Sequence, residues 1–139
     1  MGEIFLAGRI LVGGYYLLSA AHHFADLGAL AEHAAALGVP LPALAVAVAG
    51  ILLAVAGLTV ILGIYPDIGI AALLLFFIPV TIVMHAFWAE SDPVLRQIDL
   101  ANFGKNVALL GSSLMFAAVP RPWVYSLERR AHLPIKLPV

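Results

Sequence analysis

The sequence predicts an all-α fold: a four-helix transmembrane bundle with a short amphipathic surface helix between the first and second spans. Three observations carry this. Of 139 residues, 63% are hydrophobic and 11% charged, and the mean hydropathy is +1.06, whereas soluble domains run at about 45–50% apolar and about 25% charged. A chain of this length buries only about two-thirds of the surface its unfolded form exposes, so its apolar area needs lipid as solvent. Charge-free runs lie between Arg9 and Asp26, Glu32 and Asp67, Asp67 and Glu90, and Lys105 and Arg121, and crossing a core of about 30 Å takes about twenty mostly apolar residues. The runs are rich in Ala and Leu and lack the alternating polarity of membrane strands. All 139 residues form one integral membrane domain.

The first span is placed at 4–24 and carries Arg9 inside it. A cleaved signal peptide ending in Ser19-Ala20-Ala21 is the rival for this stretch, and Glu3 in its n-region disfavours it. In 26–37, Leu27, Leu30, Ala34 and Leu37 recur at helical spacing, and Gly38 followed by Pro40 ends the pattern as a C′ glycine and a breaker do. This is the surface helix. The second span, 42–64, contains Ala43, Ala45, Ala47, Ala49, Gly50, Ala54, Ala56 and Gly57. Small residues let helix backbones approach closely in lipid, so this helix is a central packing surface within the bundle or toward another copy. The third span, 68–88, contains Pro79, a kink site, and ends in His85 and Trp88. A polar connection at 90–99 leads to the fourth span, 102–119, which opens on Asn102, Lys105 and Asn106.

The tail from 120 to 139 carries Arg121, Arg129, Arg130 and Lys136, against Arg96 alone in the other connections. Lys and Arg mark the cytoplasmic side, so both termini are expected inside and the 22–41 and 89–101 connections outside. Trp123 and Tyr125 then suit an aromatic belt at the inner interface. Seven Lys and Arg against eight Asp and Glu give a net charge of −1. Such a chain has no basic face with which to neutralise a nucleic-acid backbone. The absence of Cys removes disulfides, thiolate metal sites and dithiol relays.

This topology gathers polar side chains at the outer face: His22 and His23 from the first span, His85 and Trp88 from the third, Asn102, Lys105 and Asn106 from the fourth. Converging polar groups in an apolar bundle define a candidate ligand pocket, with an interfacial polar cap as the alternative. Lys105, read as opening a helix whose dipole opposes a cation, is expected to turn its nitrogen into the bundle near His85 or Trp88. Haem or metal is disfavoured. His22 and His23 point about 100° apart on a helix, no HExxH or paired carboxylates occur, and the second span offers no ligand. Arg9, roughly 12 Å into the first helix at 1.5 Å per residue, is expected to snorkel to phosphates, with Asp67 as its one acid alternative.

Taken in order, the Gly-Arg-Ile-Leu start, a surface helix ending Leu-Gly-Val-Pro, a small-residue second helix, His85-Ala86-Phe87-Trp88 and Asn102-Phe103-Gly104-Lys105-Asn106 resemble the DoxX family of four-helix membrane proteins. The resemblance runs from about Phe5 to Arg130, and Ser126-Leu127-Glu128-Arg129-Arg130 looks like the tail of the small YphA-type inner-membrane members. It matches at Arg9, His85, Trp88, Lys105 and Asn106, and departs where the family often carries a Glu in the second helix and this chain has Leu53. It implies a prokaryotic plasma-membrane protein, an accessory subunit of quinone-linked oxidoreduction rather than an independent catalyst, with partner subunits in the membrane. Trp88 would stack on a quinone ring while Lys105 and His85 bond its oxygens. The rival is a structural or assembly protein, homodimeric through the small-residue face and without a ligand. A transporter ranks third, since no broken helix beyond Pro79 and no repeat is present.

Overall fold

A computed structural model describes residues 1–131, and they form helices α1 (Gly2–Ala25), α2 (Leu27–Ala36), α3 (Pro42–Leu62), α4 (Pro66–Met84), α5 (Pro93–Ala117) and α6 (Leu127–Ala131), with no strand among them. The predicted tail cation Lys136 lies outside the described residues. Three helices, α1, α3 and α4, are long and apolar enough to cross a membrane. Helix α5 falls short of that measure because Asn102, Lys105 and Asn106 interrupt its apolar run. The outer surface carries Leu11, Leu18, Leu44, Ile51, Leu58, Leu75, Ile82 and Met115, all exposed. An apolar coat of this extent suits a lipid environment.

The helices pack in a row, α1 along α3, α3 along α4 and α4 along α5, with α2 lying on α3. Helices α1 and α5 meet through Phe5 and Phe116, whose rings are 6.1 Å apart. Tyr16, Leu53, Ala56, Ala72, Leu73, Phe76 and Phe77 make the buried core. The close approach of α1 to α3 depends on glycine. An added Cβ at Gly13 would lie 3.0 Å from the Gly57 carbonyl oxygen, one at Gly57 2.8 Å from that of Gly13, and one at Gly50 2.9 Å from the Phe24 ring. The Gly50 and Gly57 part of the small-residue face is therefore consumed inside the chain. Gly50 and Gly57 are buried on it, while Ala54, which shares Gly50's nominal face, is only half-buried.

Helix ends follow local chemistry. Helix α2 closes with Gly38 in the left-handed region (φ 78°), and the Gly38 and Val39 amides donate to Ala35 and Ala34 carbonyls at 2.9 and 3.0 Å. This pair of bonds is the Schellman motif that a C′ glycine permits. Pro42 and Pro66 open α3 and α4, where a missing N–H costs nothing.

Two predicted boundaries are corrected. The third span does not reach Trp88: α4 ends at Met84, and 85–89 form a turn in which Phe87 packs on Trp88 and Phe103 at 5.1 and 5.4 Å. Nor is the polar connection at 90–99 separate from the last long helix, because α5 already begins at Pro93. Asp92 caps α5 by accepting from the Val94 and Leu95 amides at 2.8 and 3.0 Å, with Pro93 in the first turn. A side-chain cap followed by proline starts a helix wherever the next residues can follow.

Candidate functional site

At the end of the bundle that carries α2, the row of helices stays open between α1 and α5, leaving a cavity of about 520 Å³. That falls within the range of small-molecule sites, about 300–1,000 Å³. His22, His23, His85, Lys105 and Asn106, five of the seven predicted pocket residues, line it. Trp88 does not: it is 56% exposed, with its ring 5.9 Å from Phe103. Asn102 stands behind the rim, where its Oδ1 accepts from Lys105 Nζ at 2.9 Å.

The polar groups are held in defined orientations. His23 Nδ1 lies 2.8 Å from the Ser19 carbonyl oxygen. A carbonyl only accepts, so Nδ1 carries a proton, which leaves Nε2 as the nitrogen that can face a ligand. His22 and His85 face carboxylates in the same way, with Nδ1 to Asp26 at 2.8 Å and to Asp99 at 3.3 Å. A carboxylate on one ring nitrogen fixes which nitrogen is left to meet a ligand. The Asn106 amide is buried in the wall. Opposite these groups the floor is apolar, built from Phe76, Phe77, Val80, Met84 and Leu53. Leu53, 1% exposed, stands where the family resemblance led to the expectation of a Glu, so no carboxylate enters the floor from α3.

Lys105 departs from its expected setting. Because α5 starts at Pro93, Lys105 lies more than three turns inside the helix and its dipole leaves it undisturbed. It is exposed at the rim, where its Nζ donates to Asn102; of its two expected neighbours, His85 lines the same cavity and Trp88 does not.

The sequence reading passed over His33, which lines the cavity together with Leu30. Those two are three apart on α2 and so share a face. That spacing, together with the position of α2 over the bundle end, is the signal that marks His33 as a member of the site. Ser19, one turn before His23, was missed because its role lies in a backbone carbonyl, which no side-chain pattern reveals. Among the described residues no group of three or more His, Cys, Asp or Glu is placed to hold a metal ion.

Arg9 belongs to the opposite end, and both of its predicted settings are overturned. It neither snorkels to the surface nor meets Asp67. It is 0% exposed, and Nε, Nη2 and Nη1 donate to the carbonyls of Val60, Ile61 and Val124 at 2.9, 2.7 and 2.8 Å. Its guanidinium lies 5.7 and 5.3 Å from the ring centres of Phe5 and Trp123. Asp67 pairs with Arg121 instead. Trp123, expected in an interfacial belt, is 1% exposed, and its indole N–H donates to the Val119 carbonyl. Gly63 makes room for this arrangement, with φ 63° and an added Cβ only 2.6 Å from Arg9 Nη2.

A family model described as DoxX matches residues 4–86, from α1 through α4. The inner membrane protein YphA of Escherichia coli (strain K12) is 26% identical over 128 residues, spanning 91% of this chain and 89% of that protein. No solved structure matches. The match takes in the cavity walls given by α1 to α4, and the relative resides in an inner membrane, in keeping with the apolar outer surface seen here. The chain is an integral membrane protein and belongs to the DoxX family.

Proposed function

We propose that this protein is an accessory subunit of quinone-linked oxidoreduction in the prokaryotic inner membrane, and that the cavity holds a quinone-like or other small amphipathic molecule. The observation that carries the proposal is the pairing of a polar rim with an apolar floor in one cavity. Lys105 Nζ and the Asn106 amide would donate to a carbonyl oxygen. Nε2 of His85, freed by the bond from Nδ1 to Asp99, would accept from a hydroxyl of the reduced form. Trp88 has no part in it. The test is titration of the detergent-solubilised protein with decylubiquinone. Lys105→Met should weaken binding about tenfold, the loss of roughly one charged hydrogen bond. Because Lys105 is exposed, the variant should fold. Absence of binding by the unaltered protein would leave the assembly reading, which the carboxylate-free floor favours. A homodimer would then need a surface other than the Gly50 and Gly57 face, which α1 occupies.

The bundle is proposed to use α5 as its fourth span, with the α2 end outward and both termini cytoplasmic. The excess of cations at Arg121, Arg129 and Arg130 supports this orientation. A reporter active only in the cytoplasm, fused after Arg130, should be active. A periplasmic reporter active at that position instead would invert the topology.

A further inference from the structure

A second cavity, of about 310 Å³, lies between α2, α3 and α4 beside the first. The two share His23, Leu30, Phe76, Val80 and Met84, so they adjoin, with the His23 side chain and its neighbours forming the wall between them. Their chemistry differs. The first gathers three further histidines, a lysine and an asparagine, whereas His23 is the sole polar side chain on the wall of the second. An apolar cavity without hydrogen-bonding partners does not retain water. Its bore is set by Ala34, Ala45, Ala49 and Pro79, small side chains that leave a narrow slot. Leu30 and Ala34 of α2 and Val39 after it cover the slot at the α2 end.

Resting on the ligand reading above, we infer that the ligand is a head-and-tail amphiphile: its head occupies the histidine-lined cavity and its single hydrocarbon tail passes His23 into the slot between α2, α3 and α4. The slot lies against the polar cavity across five shared residues, and that adjacency is what assigns this occupant. A bilayer phospholipid carries two acyl chains, whereas the slot is a single compartment between three helices, and a second copy of the chain would have to enter beneath α2.

The test compares decylubiquinone with its tailless parent, 2,3-dimethoxy-5-methyl-1,4-benzoquinone, on the full chain at a fixed detergent concentration. Val48→Trp on α3 and Val83→Trp on α4 fill the slot from exposed positions that do not border the head cavity. The unaltered protein should bind the decyl compound at least about tenfold more tightly than the tailless one, since each buried methylene favours the bound state. Both variants should lose most of that preference and keep the tailless affinity. Two variants on different helices ensure that a folding failure in one leaves the other informative. A preference retained in the folded variants, as when bilayer lipid fills the slot, would overturn the inference. So would a change of particle mass in Val48→Trp, which would place a second copy there. Tailless binding with no preference in the unaltered protein would overturn the tail slot alone; failure of both compounds to bind would overturn the ligand reading with it.

Discussion

Replacing Arg9 by Met should lower the stability of the bundle by about 3 kcal/mol or more, because three backbone carbonyls lose a charged donor. The same change should free residues 119–126 from the helices. The guanidinium satisfies two of the last carbonyls of α3, those of Val60 and Ile61, which have no partner within their own helix. Its third bond, to the Val124 carbonyl, draws in the segment that places Trp123 against Phe5 and Phe116 at 5.4 and 5.7 Å. Methionine would fill part of the volume and leave three carbonyls in an apolar setting, each costing about 1–3 kcal/mol. Arg9→Lys should recover only part of the loss, because a point ammonium cannot reproduce a planar fork that spans three acceptors and stacks on two rings. Unfolding in detergent gives the stability. Hydrogen exchange at the amides of Val124 and Ser126 reports on the segment, and exchange unchanged in Arg9→Met would contradict the bond to Val124.

Gly57→Ala should cost about 1–3 kcal/mol, because its methyl would meet Leu17 Cγ at 2.7 Å and the Gly13 carbonyl oxygen at 2.8 Å. Leucine can adjust its rotamer; a backbone oxygen in the middle of α1 moves only if the helices part. Gly8→Ala and Gly104→Ala, made where an added Cβ meets nothing within 4 Å, should instead be neutral or stabilising by about 0.5–1 kcal/mol, since alanine favours helix over glycine. Thermal midpoints of the three variants measured side by side decide the matter. Equal shifts at Gly57 and Gly104 would mean that α1 and α3 do not cross as described.

The fold was legible where one physical rule acts alone. Hydropathy located α1, α3 and α4, and Gly38 with Pro40 located the end of α2. Legibility failed where two rules compete. The charges at Arg96 and Asp99 suggested a loop, yet the cap at Asp92 and the proline after it made helix there. Conversely, the apolar run through Phe87 and Trp88 suggested helix, and packing of those rings on Phe103 came with a turn. The candidate site was legible as a set of residues at one end, because helical topology alone carries His22, His85 and Lys105 there. Which of them face a common space depends on where each helix ends, so Trp88 was included and His33 passed over. Arg9 was unreadable because its partners are carbonyls, which every residue has.

The three acceptors of Arg9 also set an order of events during synthesis. The carbonyls of Val60 and Ile61 arrive 51 and 52 residues after it, and that of Val124 only 115 residues later. At about 5–20 residues per second, the ribosome supplies this last acceptor on the order of ten seconds after Arg9 is made. For the first part of that interval none of the three acceptors exists, and for the rest the seat lacks its third, so water or headgroup oxygens must fill the open positions. Chain elongation therefore times the assembly: the carbonyl cage around Arg9 can close only after Val124 has been made.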